Sequence, residues 1–349
     1  MKKRFAFVLV LAMLCGLLGG CGAKEEPAPA PDAEEAVTEE AGPAMEPIVL
    51  KYATSFASSA TSTVHAQAAA DRIAEKTNGA ITFEFYPDNQ LGNLTDTLEQ
   101  VMSGMPIMMF SGLDMLGNFV PEANVADVQY VLQDMWEIFP LVESDWWAGV
   151  EQDIIETMGV TPVAYGTVGY RHYIGTKPIS CAADMKDVIA RMPPSAVTQG
   201  FVMIHGGSPT TSTWADNYSL LQTGVFDVCE TDAQMLWTSS LQEVSQYLSL
   251  TGHSCNPCAI YMNTDLWESI PAEYQQLIHD EFYAAMRAAA EELEANEGDY
   301  VQKFKDYGIT VIEDVDKASF AEKVPEVFAH VGMDPALYDT VRAAIESAK

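Results

Sequence analysis

From residue 48 onward the sequence alternates segments of strand character with segments of amphipathic helix character, and this alternation limits its possible folds more than any other feature. The strand-like segments are apolar or alternate apolar with polar residues, while the helical ones end in turn signals such as Gly79 and Gly104. The first five segments are, in order, IVLKYATS, VHAQAAADRIAEKTNG, ITFEFYP, NLTDTLEQVMSG and PIMMFSG. This β-α-β-α-β order predicts an α/β sheet, in which loops at the strand ends hold ligands.

The middle of the chain repeats this order. There DVIARMPPS predicts a short strand that is ended by two prolines, which places Arg191 at the C-terminal end of a strand. Farther on, an alanine-rich pattern from Pro271 to about Gly298 predicts one long helix. At about 1.5 Å per residue this helix is roughly 40 Å long, enough to cross between two lobes. Two lobes are expected because the roughly 300 residues of the body exceed what one core usually organises.

Residues 1–20 predict an export signal. A basic start precedes an apolar run that ends in Leu-Gly-Gly before Cys21. The run is shorter than the roughly 20 apolar residues that span a bilayer, and its end resembles the bacterial lipobox, in which the cysteine is lipidated. An ordinary secretory peptide that is cut elsewhere is the alternative. Residues 21–48 then form an acidic, Pro/Ala-rich tether. We therefore expect a folded body held at the outer face of a membrane by lipidated Cys21.

The charge of the chain is strongly negative and unevenly distributed. It has 50 acidic and 18 basic residues, a formal net charge of −32. Such a surface repels nucleic acid and anionic lipid, so neither is expected as a partner. Between residues 77 and 286 the only basic side chains are Arg171, Lys177, Lys186 and Arg191. An anionic ligand bound within this window would have to use one of these four.

Arg191 is distinctive among the four because it lies among apolar and proline residues, in the stretch DVIARMPPSAV. A guanidinium offers a fixed fork of donors that matches a carboxylate, and it keeps its proton at physiological pH. These properties favour capture of a carboxylate ligand. The alternative is an internal salt bridge to a carboxylate of the chain, such as Asp184 or Asp216.

The sequence offers little support for catalysis. No Ser, His and Asp have a recognisable catalytic spacing, no glycine loop suits a phosphate, and the histidines are dispersed. Cys255 and Cys258 have the CxxC spacing of thiol and zinc proteins, but a zinc site would need further ligands and only His253 is near. We expect a structural cysteine pair, reduced or disulfide-bonded, in a protein that is not an enzyme and that uses no cofactor and no metal.

Five stretches in register resemble one known family. They are EKTNGAITFEFYPDNQLG, NFVPEANVADV, DMKDVIARMPPS, LLQTGVFDVCET and VSQYLSLTGH. From Val49 to about Phe328 the chain resembles the substrate-binding proteins of tripartite ATP-independent periplasmic (TRAP) transporters. The resemblance implies two α/β lobes of the periplasmic-binding-protein type, joined by crossing strands and one long helix that spans both. We expect lobe I to comprise residues 49–168 with about 257–296, and lobe II residues 169–256 with about 297–349.

The resemblance also implies a set of ligand contacts. The family arginine that forms a two-pronged salt bridge with the ligand carboxylate corresponds to Arg191, since IARMP stands where the family has K-I-R-V-P. A second family arginine, which assists, corresponds to Arg171 in VGYRHY. The remaining contacts are expected from one aromatic side chain and three hydroxyl groups, namely Trp214, Thr231, Ser55 and Ser111.

The sequence departs from the family pattern at several positions. Thr231 replaces the usual asparagine and Val228 the usual glycine, while Ile189 and Gln129 stand where lysine and proline are common. These departures leave the arginine motif intact, but they do not allow the substrate of any one relative to be transferred to this chain.

The function implied by the resemblance is solute capture. A monomeric, lipid-anchored receptor would close over a small organic carboxylate, such as a four-carbon dicarboxylate, and deliver it to the small and large membrane subunits of a TRAP transporter. Closure would bury the ion pair and strengthen it by lowering the local dielectric constant. Two alternatives stay open from the sequence. One is a sensory receptor that signals its ligand to a membrane kinase, and the other is a thiol or metal protein built on the CxxC pair.

Overall fold

The computed structural model describes residues 47–349. The predicted signal segment, Cys21 and the tether up to residue 46 lie outside the described residues. None of the helices in residues 47–349 combines the length and the apolar composition of a membrane span.

The described range contains two β-sheets with helices packed around them. The strands are β1 (Ile48–Thr54), β2 (Ile81–Tyr86), β3 (Ile107–Gly112), β4 (Val160–Thr167), β5 (Arg171–Gly175), β6 (Ile189–Arg191), β7 (Ser208–Thr210), β8 (Val228–Asp232), β9 (Tyr247–Ser249), β10 (Pro257–Asn263) and β11 (Thr310–Ile312).

The α-helices are α1 (Thr61–Lys76), α2 (Leu94–Met102), α3 (Asp114–Gly117), α4 (Ile138–Val142), α5 (Asp145–Met158), α6 (Ala196–Ile204), α7 (Asn217–Gln222), α8 (Ala233–Thr238), α9 (Thr264–Glu268), α10 (Ala272–Tyr307), α11 (Lys317–Ala321), α12 (Val324–His330) and α13 (Leu337–Ala348). Short 3₁₀ helices cover Pro121–Asp127, Met135–Glu137, Ala182–Met185, Trp214–Asp216 and Leu241–Glu243. The predicted α/β class is therefore confirmed.

The first sheet has the strand order β2-β1-β3-β10-β4. β1 runs parallel to β2 and β3, whereas β10 runs antiparallel to β3 and β4. α1 and the first half of α10 pack on this sheet, and the buried cluster between them includes Tyr52, Ile73 and Phe282. Every residue of β10 is buried, which agrees with its nearly continuous apolar sequence.

The second sheet has the strand order β11-β9-β5-β8-β6-β7. β6 runs parallel to β8, whereas β5 runs antiparallel to it. Consequently the C-terminal ends of β6 and β8 lie beside the N-terminal end of β5, and these strand ends form one edge of the sheet. This topology brings Arg191, the last residue of β6, to the same edge as Arg171, which is paired with Asp232. The expected position of Arg191 at a strand end is confirmed.

The chain passes between the two sheets at residues 168–170 and again at 250–256. α10 contacts elements of both sheets: Met286 lies in the cluster under the first sheet, and Phe304 lies in a second cluster with Ile174 and Leu248. Its 36 residues correspond to about 54 Å. Two chain crossings and this helix thus connect the sheets.

α10 extends beyond the end that the sequence pattern predicted. Gly298 lies inside the continuous helix and does not have a positive φ angle, and a β-carbon at this position would meet open space. The helix ends instead before Gly308, which has a φ angle of 104° in the left-handed region that commonly ends helices.

The C-terminal helix α13 contacts α4 and α5. Arg342 donates a hydrogen bond to Glu137 at 2.9 Å, and the Lys349 ammonium lies 3.1 Å from the same carboxylate. These contacts join the end of the chain to helices that precede β4. The division into lobes at the limits given above stays a prediction.

Candidate functional site

Two adjoining cavities are lined by residues from both sheets and from the helices around them. The arginine cavity, of about 170 Å³, includes Arg171 in its wall. The serine cleft, of about 380 Å³, is lined mainly by the loop that follows β1, the start of α1, and α8. The two share the wall residues Ser55, Phe56, Trp214 and Met235. Ser55 and Trp214, both predicted as ligand contacts, therefore lie where the two cavities meet.

Arg191 lies beside the arginine cavity, behind its wall. Pro193 and Trp214 belong to the lining, whereas Arg191 does not. The Nη2 group of Arg191 donates a hydrogen bond to the carbonyl oxygen of Ser212 at 2.7 Å, and its Nε lies 3.4 Å from the Ser212 hydroxyl. The guanidinium carbon lies 5.5 Å from the centre of the Trp214 ring. The side chain is thus held between a neutral acceptor and an aromatic face.

The charge of Arg191 has no carboxylate partner within residues 47–349. The carboxylates of Asp184 and Asp216, considered as partners from the sequence, instead accept hydrogen bonds from nearby serine and threonine hydroxyls. Arg191 is only 7% exposed, and its burial lowers its pKa, an effect that the more distant charge of Glu230 opposes. The internal salt bridge to Asp184 or Asp216 is therefore absent from the described structure. A buried guanidinium with neutral acceptors favours the approach of an anion.

Arg171 does have an internal partner. Its Nη2 lies 2.6 Å from Glu230 Oε1, and its Nε donates to the other oxygen of the same carboxylate. Burial by itself would raise the pKa of Glu230, but the charge and hydrogen bonds of Arg171 dominate and bring this pKa down to about 2. His253 Nε2 lies 3.2 Å from the same carboxylate. Arg171 lines the arginine cavity, yet most of its charge is balanced by Glu230.

The predicted hydroxyl contacts divide into two groups. Ser55 and Thr231 line the arginine cavity. Ser111 does not: it is 1% exposed, and its hydroxyl lies 2.7 Å from the Tyr261 hydroxyl across the pair of β3 and β10. Because Ser111 is covered within the sheet, the structure separates it from the cavity wall, whereas its neighbour Gly112 is part of the lining.

The cavity contains acidic and amide groups that sequence reasoning did not select, namely Asp114, Asp127 and Gln129. Burial raises the pKa of Asp127 well above its usual range, and the negative charge of Asp114 adds to this effect. Burial likewise raises the pKa of Asp114, while the charge of Arg171 opposes the rise. Among 50 acidic residues nothing in the pattern singles these two out. Gln129 did carry a signal, because it replaces a proline that is common in the family.

The cysteines of the described range are free thiols in this structure, Cys255 and Cys258 included. Burial raises the pKa of the Cys255 thiol to about 12 and that of Cys258 well above its usual value. Thiols in such surroundings carry very little of the thiolate that redox exchange and metal binding require.

Comparison with known proteins identifies extensive similarity. The family model described as bacterial extracellular solute-binding protein, family 7, matches residues 52–332. The 2,3-diketo-L-gulonate-binding periplasmic protein YiaO of Escherichia coli is 24% identical over 256 residues, which cover 72% of this chain and 77% of that protein. The C4-dicarboxylate-binding periplasmic protein DctP of Rhodobacter capsulatus is 27% identical over 231 residues, covering 65% and 68% of the two chains.

Solved structures share the same architecture. A TRAP periplasmic solute-binding protein of Actinobacillus succinogenes with bound L-galactonate matches with a TM-score of 0.78 and 26% identity, covering 86% of this chain and 100% of that one. Another, from Fusobacterium nucleatum with bound sn-glycerol 3-phosphate, matches with a TM-score of 0.78 and 25% identity, covering 86% and 97%. The arrangement of two connected sheets with cavities between them is thus that of known two-lobed binding proteins.

Proposed function

The chain belongs to family 7 of the bacterial extracellular solute-binding proteins, the substrate-binding proteins of TRAP transporters, and we propose that Arg191 anchors the carboxylate of its ligand. As a member of this family it is an extracytoplasmic binding protein for small organic acids rather than an enzyme. The relatives named above bind 2,3-diketo-L-gulonate, C4-dicarboxylates and L-galactonate, and one binds sn-glycerol 3-phosphate. We propose a ligand that, like these, is a small anion.

The observation that carries the proposal is the unbalanced charge of Arg191. Burying an ionised group without a counter-charge costs several kcal/mol, so such groups are normally paired. In residues 47–349 the side-chain hydrogen bonds of Arg191 use Nε and Nη2 and involve only Ser212, which leaves Nη1 without a hydrogen-bond acceptor. A ligand carboxylate that reaches this nitrogen would supply the missing negative charge.

The surrounding residues would shape the rest of the site. We propose that the Trp214 ring packs against the ligand, because it lines the cavity and its centre lies 5.5 Å from the guanidinium carbon of Arg191. Ser55 and Thr231 supply polar contacts from opposite sheets. We assign Arg171 an electrostatic role, since Glu230 already occupies its fork of donors. Ser111 is left out of the proposed site because Tyr261 engages its hydroxyl.

We also propose that Cys21 is lipidated and that the tether holds the body near the membrane subunits of the transporter, small and large. The support is the sequence of residues 1–48 and the family membership. The body would act as a monomer and release its ligand to the membrane subunits when the cleft opens.

The proposal predicts that at least one small carboxylate stabilises the protein against heat. A ligand at about 100 times its dissociation constant adds about 2.7 kcal/mol to the free energy of unfolding. We expect this shift in melting temperature in a screen of mono- and dicarboxylates, sugar acids, keto acids and aromatic acids. The Arg191→Ala variant should lose the shift. The Arg72→Ala variant should keep it, because Arg72 lies on α1 and pairs with Glu281 of α10. A full shift in Arg191→Ala would exclude Arg191 as the anchor.

A further inference from the structure

The wall of the arginine cavity includes an aspartate side chain that has no role in the proposed binding of the ligand carboxylate by Arg191. Asp127 ends the 3₁₀ helix Pro121–Asp127, lines the cavity and is only 8% exposed. Within residues 47–349 no group donates a hydrogen bond to its side chain and no cation lies within ion-pair distance. A nine-tenths-buried carboxylate that faces a cavity without a partner is costly in the empty protein, and a ligand with a suitable donor would relieve that cost.

The other charges of the cavity do not compensate Asp127. Arg171 is the cation in the wall, but Glu230 forms a two-pronged ion pair with it. Asp114 adds a second negative charge to the same wall. The pKa of Asp127 is raised by burial first and by the charge of Asp114 second, and the charge of Arg171 only partly opposes this rise.

A second unpartnered acceptor lies in the same wall. Gln129 is 1% exposed, and its Oε1 receives no hydrogen bond from the described residues. Asp127 and Gln129 are two residues apart at the end of one short segment, and both contribute to the cavity. The Oε1 atom of Gln129 is itself covered from solvent, so Asp127 is the acceptor that a ligand group with N–H donors would meet.

A ligand with a carboxylate alone would match this cavity poorly. Its negative charge would be held at the Arg191 side, but it would leave the Asp127 side chain without a partner and would be repelled by the ionised form of Asp114 or Asp127. Within the described residues no group of three or more His, Cys, Asp or Glu is arranged to hold a metal ion, which favours an organic cation as the missing charge.

We propose that the ligand carries a protonated amine in addition to its carboxylate, and that Asp127 binds the ammonium group. The inference rests on the proposed function, because Arg191 is taken to hold the carboxylate end. The substrate class is thereby narrowed from organic acids in general to amine-bearing carboxylates.

The test compares amine-bearing acids with their hydroxy counterparts by titration calorimetry. Suitable pairs are L-serine with L-glycerate, L-aspartate with L-malate and L-glutamate with L-2-hydroxyglutarate. We expect the amine to bind at least about tenfold more tightly in one or more pairs, which corresponds to about 1.4 kcal/mol. In Asp127→Asn this preference should vanish, because the amine-bearing acid loses affinity while the hydroxy acid binds as tightly as in the wild type or more tightly. The control Asp71→Asn changes an exposed aspartate of α1 outside both cavities and should keep the preference.

The possible outcomes separate this inference from the proposed function. If hydroxy acids bind in an Arg191-dependent manner and no amine-bearing acid is preferred, the inference that the ligand carries an amine is wrong. The proposal that Arg191 anchors the carboxylate then stands. If binding of a hydroxy acid requires added Ca²⁺ or Na⁺ and is lost in Asp127→Asn, Asp127 binds a metal instead and the inference is wrong. If no acid of either kind binds, both fail. The ligand-free Asp127→Asn protein should melt at or above the melting temperature of the wild type. If Asp127→Asn does not fold, the Asp127→Ser variant is used in its place.

Discussion

At the scale of single residues, Arg191 and Arg171 lie at the same edge of the second sheet on either side of β8, but their charges are balanced differently. Arg171 forms a fork-to-fork ion pair with Glu230, whereas within residues 47–349 the Arg191 side chain hydrogen-bonds only to neutral Ser212 and lies against the Trp214 ring. The first arrangement fixes the edge of the sheet in place. The second leaves a charge available, so we assign the ligand carboxylate to Arg191.

Replacing Glu230 by glutamine should destabilise the protein strongly. Removing one partner of a buried ion pair leaves the other charge unbalanced and typically costs 3–5 kcal/mol, so we expect about that loss in the free energy of unfolding at pH 7. Because the pKa of Glu230 is lowered from 4.5 to about 2 by folding, its contribution is complete above about pH 4.5 and is lost as the pH falls toward 2. Urea unfolding across this pH range measures both effects.

The control for this prediction is Glu346→Gln. Glu346 is 59% exposed in its pairs with Arg342 and Lys349, and exposed pairs contribute at most about 1 kcal/mol. If Glu230→Gln unfolds no more easily than this control, the ion pair with Arg171 does not hold the sheet edge.

The residue scale also marks what the sequence could and could not predict about the site. The position of Arg191 at a strand end was predictable because prolines end its strand, and its proposed role could be formulated because cations are rare in its part of the chain. Asp127 was not, because one aspartate among 50 acidic residues is recognisable only by its burial and its missing partner. Ser111 lies near the end of β3 as expected, but it is buried there and its hydroxyl pairs with that of Tyr261, a residue distant in sequence.

At the scale of secondary-structure elements, α10 illustrates how local signals compete. The pattern predicted the start at Pro271 correctly, since proline suits the N-terminal boundary of a helix. Its end was misjudged because Gly298 and Gly308 have the same sequence signal and different backbone conformations. Only the packing of later residues, such as Val301 and Phe304, shows that the helix continues through Gly298.

These two glycines form a matched test of the helix boundary. Gly298→Ala should stabilise the protein by roughly 0.5–1 kcal/mol, because alanine favours a helix interior and its β-carbon would meet open space. Gly308→Ala should destabilise it by about 1 kcal/mol or more, because φ is 104° there. Thermal unfolding of both variants measures the difference. If both substitutions changed the stability in the same direction and by the same amount, the observed end of α10 would be contradicted.

At the scale of the whole molecule, the order of elements was predictable and the placement of the C-terminus was not. Strand and helix periodicity follow from local sequence, so β1 to β3 with α1 and α2 were recognised. The contact of α13 with α4 and α5 depends on residues about 200 positions apart, such as Arg342 and Glu137. No local pattern encodes such a pairing.

The net charge of −32 predicts a dependence on salt for the ligand-free protein. Like charges repel most strongly in the compact state, so screening should favour folding. Raising the ionic strength from about 10 mM to about 0.15 M shortens the screening length from about 30 Å to about 8 Å. We expect the melting temperature to rise by roughly 2–4 °C, which corresponds to a gain of about 1 kcal/mol in the free energy of unfolding. A neutral osmolyte at equal osmolality controls for excluded-solute effects, and a fall with salt would contradict the expectation.

The central claim is that Arg191 holds the carboxylate of the ligand, and the most direct test is calorimetric titration of a stabilising acid into matched variants. Losing one partner of a buried, hydrogen-bonded charge pair costs about 2–5 kcal/mol, so Arg191→Ala should weaken binding by at least about 30-fold. Arg191→Lys should bind more weakly than wild type because it lacks the two-pronged geometry. Arg72→Ala should bind as wild type. An Arg191→Ala protein that is folded and binds the acid within about threefold of wild type would contradict the claim.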